Sequence, residues 1–320
     1  MKNSQPDNRA LSERCKNSME LLYVIESLEN SLENNILGVD VGGSHITAGL
    51  INTKTRKLIS GSLVRKPVNS HGSYEEIMTV WGDTLLEACK GHAKPETIGI
   101  AMPGPFDYER GISLIKGFNK YDSLYQLNIK EGLANILKIA PHHIKIKNDA
   151  ACFLQGEIFT GTTRGVSRVL GLTLGTGFGS AFGMNGIATD AELSSKYFKD
   201  RRAEDYFSTK WFLDEYFRLS GQRSTSVKEM NHLIDSDPLV ESIFKRFCEN
   251  LSIFLKDVLG KNDTELILIG GNIIKCDLII PELKKQLKIR SFDIPIYISQ
   301  LGEEAALVGA ASLWADKFVR

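Results

Sequence analysis

The chain has 320 residues, enough for two domains of ordinary size, and its 42% hydrophobic and 24% charged residues are typical of a soluble globular protein. The 39 Lys and Arg residues balance the 39 Asp and Glu residues, which argues against broad nucleic-acid binding. No apolar run approaches the ~18 residues of a membrane span, and the polar start has no signal-peptide core. The five scattered cysteines contain no CxxC pair and suit a reduced cytoplasm, where we expect the protein.

The first 35 residues are predicted to form a helical extension. Leu21, Ile25, Leu28 and Leu32 follow a 4-3-4 spacing, which places one apolar stripe along a helix. Such a stripe favours packing on the helix's own domain, with a dimer contact as the alternative. The stretch is too short for a helix-turn-helix domain.

Residues 36–51 predict a hairpin. An apolar strand that contains Asp40 turns over Gly42-Gly43-Ser44 and leaves as an alternating strand. A buried acid is costly without a partner, and adjacent glycines let backbone N–H groups approach an anion closely. The segment therefore suggests a metal–phosphate site, with an ordinary hairpin and a capping Asp40 as the alternative.

The next segments lead to two further candidate positions. We predict a third antiparallel strand at 57–64, a helix at 74–91 and a strand at 97–102 that ends in Pro103-Gly104-Pro105. A proline–glycine turn at a strand end is either a plain turn or a ligand-binding edge. After a predicted helix at 124–138, the strand 144–146 runs into Asn148-Asp149 and a helix that reaches Phe159. Asp149 could cap this helix or act as a general base.

A second hairpin is predicted at 169–186, with the turn Gly175-Thr176-Gly177-Phe178-Gly179. No helix follows either glycine run, which rules against a Rossmann nucleotide site. The recurrence of the pattern midway along the chain implies a duplicated unit. A third glycine turn, Gly270-Gly271-Asn272, ends the strand 266–269. The other predicted elements are helices at 208–220, 226–235, 238–260, 281–287 and 303–317 and a strand at 294–298.

Six of these motifs stand in the order found in the ROK family of sugar kinases, within the actin/Hsp70/hexokinase superfamily. The sequence resembles that family over residues 36–315. The motifs are Asp40-x-Gly42-Gly43-Ser44, Pro103-Gly104-Pro105, Asn148-Asp149-Ala150, Gly175-Thr176-Gly177-x-Gly179, Gly270-Gly271-Asn272 and the closing 302–313 segment. The resemblance implies an α/β protein of two ribonuclease-H-like, actin-like ATPase domains with mixed five-stranded sheets around a central cleft. The domains would span 36–148 and 149–302, with residues 303–320 crossing back to complete the first.

The resemblance also implies roles for these residues. Asp40 would hold Mg²⁺, directly or through water, and Asp149 would take the proton from the attacking sugar hydroxyl. The ATP phosphates would bind the first two glycine turns (Gly42, Gly43, Ser44; Gly175, Thr176, Gly177, Gly179), and adenosine would lie beside Gly270, Gly271 and Asn272. We expect the sugar to contact Gly104, Asn119, Asn148, Asp149, Glu192 and Glu204.

The sequence departs from the family at a histidine and at a zinc motif. Many relatives carry Gly-Glu-x-Gly-His followed by a cysteine cluster that binds structural zinc. Here the counterpart is Ala191-Glu192-Leu193-Ser194-Ser195, and Arg201-Arg202 stand where the cysteines would be. We therefore expect no structural zinc, and the serine leaves the identity of the sugar open.

We interpret the sequence as an ATP-dependent kinase of a hexose or amino-hexose hydroxyl, and the resemblance implies a homodimer. Two alternatives remain. One is a sugar-sensing or regulatory protein that has lost catalysis, although Asp40 and Asp149 are both retained. The other is a kinase that uses polyphosphate, for which the local basic candidates are Lys196, Lys199, Arg201 and Arg202.

Overall fold

A computed structural model describes residues 35–93 and 95–315. The predicted N-terminal helix and the last residues of the predicted closing helix lie outside the described residues. Within the described ranges, no helix is both long and apolar enough to cross a membrane.

The described residues form fifteen strands. In chain order they are β1 Asn35–Val41, β2 His45–Asn52, β3 Lys57–Leu58, β4 Val64–Pro67, β5 Ile98–Met102, β6 Phe106–Asp107, β7 Ile112–Ser113, β8 Ile144–Asn148, β9 Arg168–Leu174, β10 Phe178–Met184, β11 Ile187–Asp190, β12 Tyr197–Phe198, β13 Arg201–Arg202, β14 Leu266–Gly270 and β15 Ile296–Ile298.

Eight α-helices accompany the strands in the same part of the chain. They are α1 Tyr74–Ala88, α2 Ile129–Leu137, α3 Asp149–Thr160, α4 Thr209–Ser220, α5 Val227–Asn231, α6 Pro238–Asn262, α7 Ile279–Ile289 and α8 Ala305–Ala311. Side-chain caps set several starts: Ser73 and Glu76 form a capping box on α1, and Asn128 caps α2. The cap at Asn128 explains why α2 begins later than the predicted residue 124.

The first sheet has the order β3-β2-β1-β5-β8, with β4 also paired to β2. β1 and β2 form the predicted antiparallel hairpin, whereas β1, β5 and β8 run parallel. The second sheet has the order β11-β10-β9-β14-β15, in which the β9–β10 hairpin again precedes a parallel neighbour. The two halves of the chain therefore repeat one arrangement, as the recurring glycine hairpins predict.

The predicted third strand at 57–64 is divided, so the first sheet has six strands rather than five among the described residues. β3 and β4 pair with different ends of β2. Between them Gly61 takes a positive φ of 80°, and the Ser62 hydroxyl accepts a hydrogen bond from the Leu50 amide at 3.0 Å. A side chain thus replaces the strand partner at this point, which the alternation of residues did not signal.

α8 packs between the first sheet and α3. A Cβ placed on Gly99 of β5 would lie 1.9 Å from the Ala310 carbonyl oxygen, and one on Gly309 would lie 1.8 Å from the Cys152 carbonyl oxygen. Only glycine permits such close backbone approach. The helix is shorter than the predicted 303–317, because 3₁₀ turns at Gly302–Glu304 and Ser312–Trp314 flank it. The domain limits themselves stay predictions.

Candidate active site

The carboxyl ends of β1, β5 and β8 lie at one edge of the first sheet. Asp40 of β1 is in register with Ala101 of β5, and Met102 is in register with Asn148 of β8. Since neighbouring parallel strands end together, this register brings Asp40, the turn after Met102 and the start of α3 to one place. The edge collects motifs that are distant in sequence.

The carboxylates of Asp40 and Asp149 influence each other at this edge. Burial and, after it, the charge of Asp149 raise the pKa of Asp40 to about 7, although the Arg65 guanidinium acts in the opposite direction. Burial also raises the pKa of Asp149, against the Ala150 amide, which donates to its Oδ1 at 2.8 Å, and the charge of Lys120. Two desolvated acids that repel each other are typical of acid–base or metal sites.

Asn148 serves as the N-cap of α3. Its Oδ1 accepts a hydrogen bond from the Ala151 amide at 2.9 Å, and its Nδ2 donates to the Tyr108 hydroxyl at 3.4 Å. The Tyr108 hydroxyl in turn donates to the Met102 carbonyl at 3.2 Å and lies 3.1 Å from where a Cβ on Gly104 would be. Burial raises the pKa of Tyr108, so it stays protonated at neutral pH. Sequence reasoning missed Tyr108, since no motif contains it.

The first glycine turn is stabilised by a hydrogen bond within its own backbone and by one from a buried tyrosine. The Gly42 amide donates to the His45 carbonyl at 2.8 Å, and the buried Tyr121 hydroxyl donates to the Gly42 carbonyl at 2.6 Å. Gly43 and Ser44 are exposed, and their amides donate to no acceptor in the described part of the chain. Free amides on an exposed glycine turn suit a phosphate.

The second glycine turn is anchored by the start of α4. The Gly175 carbonyl accepts hydrogen bonds from the amide and hydroxyl of Thr209 at 2.7 and 2.9 Å. A Cβ on Gly177 would lie 2.8 Å from Oε1 of Glu204. The Glu204 carboxylate therefore lies beside this turn, and its predicted contact with the sugar stays a prediction.

The third glycine turn is adjacent to the second. Gly270 of β14 is in register with Thr173 of β9, and Gly271 has a φ of 102°. A Cβ on Gly271 would lie 2.2 Å from the Leu174 carbonyl oxygen. Asn272 is exposed at this turn. The structure thus brings Gly175–Gly179 and Gly270–Asn272 together at the edge of the second sheet.

The two remaining residues predicted to contact the sugar lie in exposed loops. Asn119 and Glu192 are both exposed and both left-handed, with φ values of 56° and 51°. The Glu192 amide donates to Oδ1 of Asp190 at 2.8 Å, and Ser195 Oγ donates to the Glu192 carbonyl at 2.9 Å. Burial, together with the charge of Asp149, raises the pKa of Asp190. Asp190 is thus an acid near the site that sequence reasoning passed over.

The donor chemistry at Asp40 fits a hard divalent cation. No donor among the described residues forms a hydrogen bond with its carboxylate, and the described residues contain no cluster of three His, Cys, Asp or Glu side chains able to hold a metal. Mg²⁺ is commonly bound through one or two carboxylates with substrate phosphates and water. A desolvated carboxylate beside a glycine turn with free amides meets that requirement.

These features define a class. Two α/β units that repeat one sheet order, with glycine hairpins at their edges and a carboxylate at a helix start, form the actin-like ATPase fold. A ROK family glucokinase from Streptomyces griseus, solved with glucose and AMPPNP, superposes with a TM-score of 0.72 at 20% identity, covering 87% of this chain and 98% of its own.

The model of the ROK family matches residues 36–191. N-acetyl-D-glucosamine kinase of Histophilus somni is 25% identical, over 88% of this chain and 99% of its own length. Glucokinase of Thermotoga maritima is 24% identical, over 88% and 98%. By this match and these relatives the chain is similar to the sugar kinases of the ROK family.

Proposed function

We propose that this protein is a sugar kinase of the ROK family that transfers the γ-phosphoryl group of ATP to a hydroxyl of a hexose or amino-hexose, with Asp149 as general base. The observation that carries the proposal is the desolvated Asp149 carboxylate, which shares one sheet edge with Asp40 and with a glycine turn that presents free amides. The names of the relatives, an N-acetyl-D-glucosamine kinase and a glucokinase, support the substrate class.

Asp149 is suited to accept a proton. Its raised pKa makes the carboxylate a stronger base than a solvated aspartate, and the Ala150 amide holds one oxygen in place. As the hydroxyl oxygen forms its bond to phosphorus, its proton passes to Asp149 and the bond between the γ-phosphorus and ADP breaks. Such a base contributes typically ~10²–10⁴-fold to the rate.

Asp40 would hold Mg²⁺, directly or through water, because its carboxylate is desolvated and has no protein donor among the described residues. The ion, when bound, supplies positive charge beside the phosphates. The turn Gly42–Ser44, through the free amides of Gly43 and Ser44, and the turn Gly175–Gly179 would bind phosphate oxygens, and Gly270–Asn272 would lie beside adenosine.

The sugar would bind at the start of α3. Asn148 and Gly104 lie beside Tyr108, whose fixed hydroxyl adds a hydrogen-bonding group to the predicted set. Asn119, Glu192 and Glu204 complete that set, and Asp190 joins it through its electrostatic coupling to Asp149. The proposal also includes a cytoplasmic location and a homodimeric state.

The basic residues that would favour a polyphosphate donor lie in and beside the hairpin β12–β13. Lys199 donates to Oδ1 of Asn250 at 2.7 Å, and the Arg201 guanidinium packs 4.9 Å from the Tyr206 ring centre. Two of the four cations are thus engaged within the chain. ATP is the better-supported donor.

The test is a coupled ADP-release assay with Mg-ATP over a panel of hexoses and N-acetyl-hexosamines, run beside Asp149→Asn. We expect turnover on one class of sugar, a loss of ~10²–10⁴-fold in kcat in the variant, and retained sugar binding by calorimetry. Near-native turnover in the variant would remove Asp149 from the base role. If the wild type binds a sugar but turns over none of the panel, a non-catalytic sugar-sensing protein is favoured. If turnover then appears with polyphosphate, a polyphosphate donor is favoured instead.

A further inference from the structure

Lys120 lies in a loop that is fixed on both sides. The Tyr121 amide donates to the Ser70 carbonyl at 2.7 Å, and the Tyr121 hydroxyl donates to the Gly42 carbonyl at 2.6 Å. Before it, the Gly117 amide donates to Oδ1 of Asp122 at 3.0 Å. Tyr121 is fully buried against Trp81, with ring centres 5.5 Å apart. The backbone at Lys120 is therefore fixed relative to the first glycine turn, through the neighbouring Tyr121.

The Lys120 side chain lies over that turn. A Cβ placed on Gly43 would be 3.8 Å from Cδ of Lys120. The charge of the same side chain acts on Asp149 and favours its carboxylate form, against the effect of burial. Lys120 thus reaches toward both the proposed phosphate-binding turn and the proposed base.

The ammonium group of Lys120 has no counter-ion of its own. Among the described residues, no carboxylate lies within 4.0 Å of it, and the side chain is half-buried. Arg65, the cation that acts on Asp40, is instead paired with Glu303 at 2.8 Å. Of these two cations, Lys120 is the one left available to a ligand anion.

We propose that Lys120 binds the transferred phosphoryl group and stabilises its charge during transfer, an inference that rests on the proposed kinase function. A γ-phosphoryl that moves from Gly42–Ser44 toward a hydroxyl at Asp149 passes between the two groups that Lys120 reaches. Its charge is spread over three oxygens, and a cation fixed beside them lowers the barrier. The hydroxyl proton goes to Asp149.

A lysine suits this task because its ammonium is a compact charge on a flexible stem. It can follow the phosphorus atom over a short path without the fixed fork of an arginine. The hydrogen-bonded loop fixes the position of the Lys120 backbone, and the flexible methylene chain allows its ammonium group to move with the phosphoryl group.

The test measures binding as well as turnover in Lys120→Met. We expect the affinity for AMPPNP, measured by calorimetry with Mg²⁺ and sugar present, to fall by about 10-fold or more, and that for ADP to change less than about 3-fold. We expect kcat to fall by about 10²-fold, as for loss of one transition-state donor. Lys120→Arg should recover part of the AMPPNP affinity.

Lys116→Met is the matched control in the same loop. The Lys116 ammonium lies 4.7 Å from the ring centre of Tyr125, outside the site, so both affinities and kcat should stay near wild-type values. Equal losses for AMPPNP and ADP, or no loss for either, would overturn the assignment of Lys120. If the wild type phosphorylates no sugar, the kinase proposal fails, while the AMPPNP-to-ADP comparison still decides whether Lys120 binds the terminal phosphoryl group.

Discussion

Gly99→Ala tests the packing of α8 on the first sheet. The added Cβ would meet three backbone atoms of α8: the Ala310 oxygen at 1.9 Å, the Ala310 carbon at 2.4 Å and the Ala311 nitrogen at 3.0 Å. Backbone cannot turn aside as a side chain can, so either the helix or β5 must move. Overpacking of this kind costs about 1–3 kcal/mol and occasionally more.

Gly260→Ala is the same chemical change without the clash. Gly260 lies in α6 and is exposed, and an added Cβ would meet no atom of the described residues within 4 Å beyond the adjacent backbone of its own helix. Alanine in a helix is more favourable than glycine by about 0.5–1 kcal/mol. The two substitutions should therefore change stability with opposite signs.

Thermal unfolding by scanning calorimetry measures both variants. A domain of 150–250 residues shifts its midpoint by roughly 2–4 °C per kcal/mol, so Gly99→Ala should lower the midpoint by roughly 5 °C. Gly260→Ala should raise it by roughly 1–4 °C. A midpoint for Gly99→Ala at or above the wild-type value would refute the close approach of α8 to β5.

Two further predictions concern buried carboxyl groups. Because the pKa of Asp40 is raised to about 7, the folded state binds its proton more tightly than the unfolded state, so this group stabilises the fold at low pH and the contribution is lost as pH rises from about 4 to 7. Asp40→Asn should therefore raise the midpoint of the metal-free protein more at pH 8 than at pH 5, and equal shifts would contradict the raised pKa. Glu157, fully buried, accepts hydrogen bonds from Thr162, Ser299 and the Leu301 amide at 2.5–2.9 Å. Glu157→Leu should cost about 3 kcal/mol or more in urea unfolding and Glu157→Gln clearly less, since glutamine keeps polar partners for these donors; equal costs would show that the hydrogen bonds matter little.

Local sequence signals predicted the parts of the fold that local chemistry determines. The turns at Gly42–Ser44 and Gly175–Gly179 predict hairpins, and Asp149 marks the predicted helix start, but the capping side chain is that of Asn148 and not of Asp149. The divided third strand was missed because Ser62 replaces a strand partner through its side chain, a contact that alternation does not encode.

The sequence predicted candidate site residues where they lie in motifs, and it missed those that only the fold brings to the candidate site. Asp40 and Asp149 stand at strand ends, which is a sequence signal. Tyr108, Lys120 and Asp190 reach the site through the folding of loops and neighbouring strands, so their importance depends on contacts that no spacing rule expresses.

The position of α8 late in the chain also determines when the first sheet can be completed during synthesis. Ile36 and Ile51 of the first sheet pack against Leu307 and Val308 of α8. At 5–20 residues per second, the ribosome needs about 8–30 s to proceed from β8, the last strand of the first sheet to be made, to α8. During that interval all strands of the first sheet have been made but α8, which packs on them, has not. The nascent chain therefore exposes the apolar face of the sheet. Chaperone capture of the nascent chain should therefore peak before α8 emerges and fall once it has docked.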